Sequence, residues 1–180
     1  MFFDNRCVVP YYLGMLDYFN SHCHFISAST LIPNNVGAVN NAAQMSEWKA
    51  VIGISQNNTN ICGAIGVHPW YVSDLPDDWD KQLQEILIQY TNLTVGEIGL
   101  DYYWDDTRKA EQKELFKNQL ELALALDKPV IIHDREAHAD TLEILFSYPQ
   151  LRGVLHCFSG SVEMARELVK RGWYLGFDGP

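Results

Sequence analysis

The chain has 180 residues and a mass of 20.6 kDa, which fits one domain with a sizeable core, and its 47% hydrophobic and 20% charged residues exclude a disordered or collagen-like chain. Its formal net charge of -10 opposes a broad electrostatic grip on duplex nucleic acid, so any phosphate recognition must be local. No apolar stretch approaches the roughly 20 residues of a membrane helix, and the four cysteines lack CxxC spacing, so we expect a cytoplasmic protein without a membrane-spanning segment.

Short apolar runs alternate with amphipathic segments along the chain, which is the pattern of βα units in an α/β fold. In chain order the pattern predicts a strand at 15–19, a helix at 36–49, strands at 50–54 and 62–67, a helix at 77–90, a strand at 93–97, a helix at 108–126, a strand at 129–132, a helix at 136–146, a strand at 153–155, a helix at 162–171 and a strand at 173–177. The link 55–61 is too short for a crossover helix, so either its two flanking strands are not parallel or the strand at 50–54 is wrong.

Five of the predicted strands lead directly into residues that can hold a metal ion. These residues are His22 and His24, His68, Glu97, His133 and His156. Because the carboxyl ends of parallel strands meet at one face of a sheet, we expect these side chains to converge. Imidazole and carboxylate together suit zinc, iron, manganese or nickel. Glu97 lies in so apolar a stretch that its charge must be paired or metal-bound, and it is placed to bridge one ion at His22 and His24 and a second ion at His133 and His156.

His68, together with Asp101 and Arg135, is a candidate for substrate contact. His68 precedes Pro69, so it is either a turn residue or a substrate contact. Arg135 either binds a phosphate oxygen or pairs with a carboxylate such as Asp101. The aromatic residues at 70–71 and 102–104 either stack on nucleobases or pack in the core. We interpret His138 as a solvated or capping histidine and not as a ligand.

Five motifs carry the resemblance to a known family. They are Ser-His-Cys-His at 21–24, Gly-Val-His-Pro at 66–69, Gly-Glu-Ile-Gly-Leu-Asp-Tyr at 96–102, Pro-Val-Ile-Ile-His-Asp-Arg at 129–135 and Gly-Val-Leu-His-Cys-Phe-Ser-Gly at 153–160. Over roughly residues 18 to 179 the chain resembles the TatD family of metal-dependent hydrolases, within the amidohydrolase-like TIM barrels.

The resemblance implies a TIM-type (β/α) barrel with the activity of a deoxyribonuclease that removes nucleotides from a DNA end. It implies two divalent ions, Mg²⁺, Zn²⁺ or Mn²⁺, one held by His22 and His24 and the other by His133 and His156. Glu97 bridges them as the catalytic residue, and a metal-activated water attacks the phosphorus. The expected partner is DNA, as a single strand or a 3′ end, and no membrane.

The chain also departs from the pattern of the family it resembles. Asn20 stands where relatives have an Asp, and relatives continue into a final strand with a metal-binding Asp that Asp178 does not match. A (β/α)8 barrel normally needs about 250 residues. We therefore expect an incomplete barrel that lacks the final strand and helix, with 1–17 as an N-terminal extension and 18–180 as the hydrolase domain. Open barrel edges predict self-association.

Three alternatives to a nuclease stay open. In the first alternative the chain is a non-catalytic form that needs a partner or a further C-terminal segment. In the second it is an esterase, like those relatives that are linked to the hydrolysis of D-aminoacyl esters from tRNA. A third alternative keeps the metals and cleaves an amide or another carboxylic ester.

Overall fold

Seven strands pair in parallel and in sequence order to form one curled sheet of the (β/α) barrel type. The computed structural model describes residues 18–26, 35–104 and 106–177. The strands are β1 (Tyr18–Cys23), β2 (Val36–Asn41), β3 (Ile61–Ile65), β4 (Thr94–Asp101), β5 (Val130–Arg135), β6 (Gly153–Leu155) and β7 (Tyr174–Leu175). The helices are α1 (Trp48–Asn57), α2 (Trp79–Gln89), α3 (Lys109–Ala125), α4 (His138–Phe146) and α5 (Val162–Lys170), with short 3-10 turns at Met45–Glu47 and Pro69–Tyr71. One α-helix connects each neighbouring pair of strands from β2 to β7, as parallel pairing requires.

Two adjacent elements of the sequence prediction are wrong. The predicted helix 36–49 is replaced over its first part by β2, which is buried along its length because β1 and β3 flank it. The predicted strand 50–54 lies inside α1, where Trp48, Val51, Ile52 and Ser55 are buried at helical spacing. Val and Ile are typical of strands, but here tertiary packing overrides that preference. Because α1 is itself the crossover between parallel β2 and β3, the short link at 55–61 needs no helix of its own.

The remaining predicted elements are present with shifted ends. The predicted strand 15–19 corresponds to β1, which reaches Cys23, while residues 15–17 lie outside the described part of the chain. The predicted strand 93–97 continues as β4 to Asp101, so Glu97 lies in the middle of a strand and not at its end. Residues 1–17 and Asp178 also lie outside the described residues. The N-terminal extension therefore stays a prediction. The cytoplasmic location and the self-association also stay predictions.

The sheet has apolar side chains on both faces. The larger cluster contains residues of the helices, such as Phe116 and Leu120 of α3, so the strand residues in it face the helices. A second, smaller cluster contains only strand residues and so lies on the concave face of the curl: Val39, Cys62, Ala64, Ile131 and Val154. None of the helices in the described part of the chain is long and apolar enough to span a bilayer.

Gly99 provides a test of the close approach between β4 and β5. Its φ is +148°, and a Cβ there would lie 1.9 Å from the carbonyl oxygen of His133. Backbone strain and overpacking each cost about 1–3 kcal/mol, so we expect Gly99→Ala to lower the free energy of unfolding by about 3 kcal/mol or more in urea titrations. Gly53 in α1 has nothing within 4 Å of such a Cβ, and Gly53→Ala should stabilise the protein by about 0.5–1 kcal/mol. Equal effects of the two substitutions would contradict this packing.

Candidate metal centre

The two-residue alternation of strands aims His133 and His156 at the concave face. Ile131 of β5 and Val154 of β6 belong to the concave cluster. His133 and His156 come two residues after them, and successive side chains of a strand alternate between its faces. The two imidazoles therefore lie directly above the concave cluster, toward the carboxyl ends of the strands.

Glu97 reaches the same face because the pairing of β4 is irregular around it. Val95, Ile98 and Leu100 all belong to the cluster that faces the helices. Strict alternation from Val95 would turn Glu97 toward the helices as well. From Val95 to Ile98 β4 advances three residues, while β5 advances only two, so β4 contains one extra residue here. An extra residue of this kind changes the direction of the side chains around it. This shift lets Glu97 face the concave side, where the histidines lie.

One oxygen of Glu97 faces the histidines of β1. The Nε2 atoms of His22 and His24 each lie 3.4 Å from Oε2 of Glu97, and they lie 2.9 Å from each other. Nδ1 of His24 is 2.8 Å from the carbonyl oxygen of Asn41, so that nitrogen donates its proton away from the centre. Nε2 of His24 is thereby left to face the centre, where it donates to Glu97 when protonated and could bind a metal ion when deprotonated.

The other oxygen of Glu97 faces the histidines of β5 and β6. Nδ1 of His133 lies 2.8 Å from Oε1, and Nε2 of His156 lies 2.5 Å from it. These two nitrogens are 3.2 Å apart. The predicted ligands thus fall into two pairs, one on each carboxylate oxygen.

The spacing of these atoms fits metal binding. Ligand atoms about 2.0–2.1 Å from a tetrahedral ion lie about 3.3 Å from one another. The separations of 2.9 and 3.4 Å among His22, His24 and Glu97 are close to that value. Those around Oε1 are shorter, as for atoms that share hydrogen bonds. Imidazole nitrogens with a carboxylate suit a divalent transition metal, so the residues present fit such an ion.

Glu97 is ionised although its side chain is almost wholly enclosed. Burial alone would raise its pKa, but hydrogen bonds from His133, His156 and His24 outweigh burial and hold the pKa well below its ordinary value. Burial alone would lower the pKa of His133, yet its bonds with Asp101 and Glu97 raise it to about 9. The hydrogen bond with Glu97 raises the pKa of His24 as well. The site therefore contains a carboxylate anion surrounded by imidazoles that donate hydrogen bonds to it or become protonated beside it.

Asp101 holds His133 in place. Its side chain is fully buried, and its Oδ2 lies 3.0 Å from Nε2 of His133 and accepts a 2.8 Å hydrogen bond from the indole of Trp70. Burial would raise the pKa of Asp101, but the bonds from His133 and Trp70 lower it to about 2. Asp101 thus keeps the proton on Nε2 of His133, so the Nδ1 proton that is donated to Glu97 is the one a metal ion would displace. This geometry favours a role in orienting His133 over the predicted contact with substrate.

His68 lies beside the centre with its proton facing inward. Its Nδ1 accepts the backbone N–H of Trp70 at 3.2 Å, so it starts the 3-10 turn at Pro69–Tyr71. Burial lowers its pKa to about 3, so the ring is neutral and its proton is on Nε2, 3.7 Å from Oε1 of Glu97. A protonated nitrogen cannot bind a metal ion, although His68, Glu97 and His133 are close enough for a ligand group. His68 is both a turn residue and a hydrogen-bond donor toward the centre.

The centre opens into a cavity of about 600 Å³ whose lining includes Arg135 and the exposed ring of Trp70. The guanidinium of Arg135 lies 4.1 Å from the ring centre of Tyr103 and does not pair with Asp101. Trp70, Tyr103 and Trp104 are 51, 54 and 64% exposed, whereas Tyr71 and Tyr102 pack against the core. Core packing therefore accounts for Tyr71 and Tyr102, while the stacking of nucleobases on the exposed rings stays a prediction. His138 lies at the start of α4, with Nδ1 2.8 Å from Asp134.

Three buried side-chain amides next to the centre were not predicted from the sequence. Asn40, Gln112 and Gln119 are each at most 2% exposed. The two glutamines lie seven residues apart on α3, among buried apolar residues. A glutamine on such a face is a detectable signal, because it must satisfy its amide there. Asn40 was missed because its segment was predicted as a helix.

A parallel α/β sheet of the barrel type, with imidazoles and a carboxylate gathered on its concave side, is typical of metal-dependent hydrolases. Comparison with known proteins narrows this class. The model of the "TatD related DNase" family matches residues 20–180, and the chain belongs to that family.

The chain is similar to several known proteins. An uncharacterized metal-dependent hydrolase of Bacillus subtilis, YabD, is 41% identical over 122 residues, which are 67% of this chain and 48% of the relative. The 3′-5′ ssDNA/RNA exonuclease TatD of Cronobacter turicensis is 41% identical over 63% of this chain and 44% of its own length. The crystal structure of YJJV, a TatD homologue of Escherichia coli, matches with a TM-score of 0.78 and 28% identity over 88% of this chain and 66% of that one. The chain thus spans about half the length of the first two relatives. The metal-dependent relatives and the groups of His and Glu residues together support the use of a divalent metal.

Removing one histidine from each pair tests the division of the centre. In calorimetric titrations of metal-free protein with Mn²⁺ we expect about two equivalents for the wild type, in line with two-metal sites. His24→Ala and His156→Ala should each retain about one equivalent and weaken the other at least about 100-fold, because each removes a ligand from a different pair. His138→Ala is the matched control and should retain both. Loss of the same equivalent in the first two variants would contradict the division.

Proposed function

We propose that this chain is a hydrolase dependent on two divalent ions that cleaves phosphodiester bonds at the 3′ end of single-stranded DNA. The observation that carries the proposal is the placement of two histidine pairs on the two oxygens of one buried glutamate. His22 and His24 would hold one ion, and His133 and His156 the other, with Glu97 as the shared ligand. Mg²⁺, Zn²⁺ and Mn²⁺ are the candidate ions, and imidazole ligands favour the latter two.

Divalent ions bound here would polarise a phosphoryl oxygen and lower the pKa of water, the two effects on which two-metal phosphoester hydrolysis depends. The protein's own groups supply position and charge. Glu97 stays anionic because its histidines lower its pKa, and its two oxygens set the spacing of the two halves. His68 directs its Nε2 proton toward Oε1 of Glu97, where a neutral donor can hydrogen-bond to a phosphate oxygen.

Two features of the rim support a single-stranded nucleic acid as the substrate. Arg135 is exposed beside the centre, and its guanidinium can bind a phosphate bidentately. Trp70 lines the same cavity with an exposed indole ring, the exposed indole of Trp104 lies 5.6 Å from the guanidinium of Arg135, and unpaired bases stack on such rings. The net charge of -10 disfavours the broad basic face that duplex binding needs. The Cronobacter relative is named as an exonuclease for single-stranded DNA and RNA, which agrees with this substrate class.

Substituting Glu97 tests the proposed reaction. We expect the wild type with Mn²⁺ to shorten a single-stranded oligonucleotide labelled at its 5′ end stepwise from the 3′ end. Glu97→Gln should lower kcat by about 10³-fold, because the metals' stabilisation of transition-state charge is worth several kcal/mol. Glu136 lines the same cavity without belonging to either pair. Glu136→Gln is therefore the control and should keep its activity.

A second substrate in the same assay separates the alternatives. Hydrolysis of an aminoacyl ester without cleavage of the oligonucleotide would replace the nuclease proposal with an esterase. Two bound ions with no turnover of either substrate would favour the non-catalytic alternative. Unchanged turnover in Glu97→Gln would contradict the role given to this residue.

Arg135 should act on substrate binding and not on the metals. Loss of a hydrogen bond to a charged group costs about 1.5–3 kcal/mol, so we expect Arg135→Ala to raise KM for the oligonucleotide at least about tenfold. Metal stoichiometry and kcat should change little. Arg152 is an exposed arginine 3.6 Å from Asp127 and away from the cavity, which makes Arg152→Ala the control. An equal KM in both variants would remove Arg135 from the substrate site.

A further inference from the structure

Three buried side-chain amides make the same unusual contact beside the proposed metal centre. In each, the amide oxygen accepts the backbone N–H of one residue and the amide nitrogen donates to the C=O of that same residue. We call this contact a carboxamide clamp. The clamps join Asn40 to Phe25, Gln112 to Asp101 and Gln119 to Val67.

The Asn40 clamp fixes the chain directly after His24. Oδ1 of Asn40 accepts the N–H of Phe25 at 2.6 Å, and Nδ2 donates to the C=O of Phe25 at 3.0 Å. The register of β1 and β2 shifts between Asn20 and Cys23. The clamp therefore takes the place of ladder hydrogen bonds where regular pairing ends. His24, one residue away, depends on this backbone for its place beside Glu97.

The Gln112 clamp fixes the last residue of β4. Both of its hydrogen bonds to Asp101, from N–H and to C=O, are 2.9 Å long. The side chain of Asp101 in turn lies 3.0 Å from Nε2 of His133. A displacement of Asp101 would release the proton of His133 from Nε2 and turn the ring. Gln112 thus controls His133 through Asp101, without touching it.

The Gln119 clamp has the same chemistry without a connection to a ligand. It holds Val67 with hydrogen bonds of 2.8 and 3.0 Å. Val67 precedes His68, whose inward nitrogen carries a proton and binds no metal in our proposal. Gln119 lies on the same helix as Gln112 and is buried to the same degree. The molecule therefore contains its own matched control.

Resting on the metal centre proposed above, we propose that Asn40 and Gln112 are positioning residues, each for one half of the centre. Asn40 positions the ligands of the half at His22 and His24. Gln112 positions the ligands of the half at His133 and His156. Residues that orient metal ligands typically change metal affinity about 10- to 100-fold when substituted, whereas a purely structural amide would lower stability and leave affinity alone.

The test places each substitution in backgrounds that keep one half of the centre. His156→Ala keeps the His22 and His24 half, and His24→Ala keeps the other. In Mn²⁺ titrations we expect Asn40→Leu to raise Kd at least about tenfold in the first background and less than about twofold in the second. Gln112→Met should show the reverse pattern. Gln119→Met should change Kd less than about twofold in both backgrounds.

Urea unfolding of the same variants separates positioning from general destabilisation. All three amide substitutions should lower stability, but only the first two should change Kd, and in opposite halves. Equal changes in both halves, or changes as large in Gln119→Met, would overturn the proposal. If Asn40→Leu or Gln112→Met does not fold, Asn40→Asp and Gln112→Glu keep the acceptor oxygen and should give the same pattern.

A metal-free readout distinguishes this proposal from the proposed function. If the wild type binds no Mn²⁺, the hydrolase proposal fails, and the clamp on Asp101 is then judged by NMR of His133. The Nε2 proton of His133 is hydrogen-bonded to Asp101. We expect this proton to exchange with solvent at least about tenfold faster in Gln112→Met than in Gln119→Met, because only the first variant loses the clamp on Asp101. Equal exchange in the two variants would overturn the role of Gln112.

Discussion

The structure depends on one buried carboxylate. A charge enclosed as fully as Glu97 is stable only if other groups compensate for the lost water. Five imidazoles do so, with Nε2 or Nδ1 atoms of His22, His24, His68, His133 and His156 between 2.5 and 3.7 Å from its oxygens. The raised pKa values of His24 and His133 show that positive charge is favoured on both sides of the glutamate. Divalent cations bound on the two sides would supply that charge in place of protons.

The surrounding scaffold keeps this cluster from relaxing. The register shift in β4 aims Glu97 inward, and the absence of a side chain at Gly99 lets β5 come close enough to bring His133 to it. Side-chain amides from β2 and α3 then hold backbone groups at the ends of the strands or just past them. Each element acts at a different point, yet all of them fix distances to the same two oxygens. Such rigidity suits the proposed site, whose metals would hold a phosphate in one orientation.

Much of the centre could be predicted from sequence because strand ends converge in parallel sheets. His133 and His156 follow from the alternation of apolar residues before them, and a carboxylate as isolated as Glu97 had to be paired. The exchange of strand and helix between residues 36 and 57 could not be predicted, since Val and Ile suit both elements and burial on both faces removes the periodic signal. The roles of Asp101 and the amides depend on contacts between distant segments. No local pattern records which backbone group a buried Gln112 will meet.

The most direct test of a metal centre divided into two halves by Glu97 is anomalous diffraction from crystals of the protein soaked in Mn²⁺. We predict two peaks roughly 3.5–4 Å apart, one beside His22 and His24 and one beside His133 and His156, with an oxygen of Glu97 bound to each. A single peak would contradict the division of the centre, as would an ion bound through Nε2 of His68.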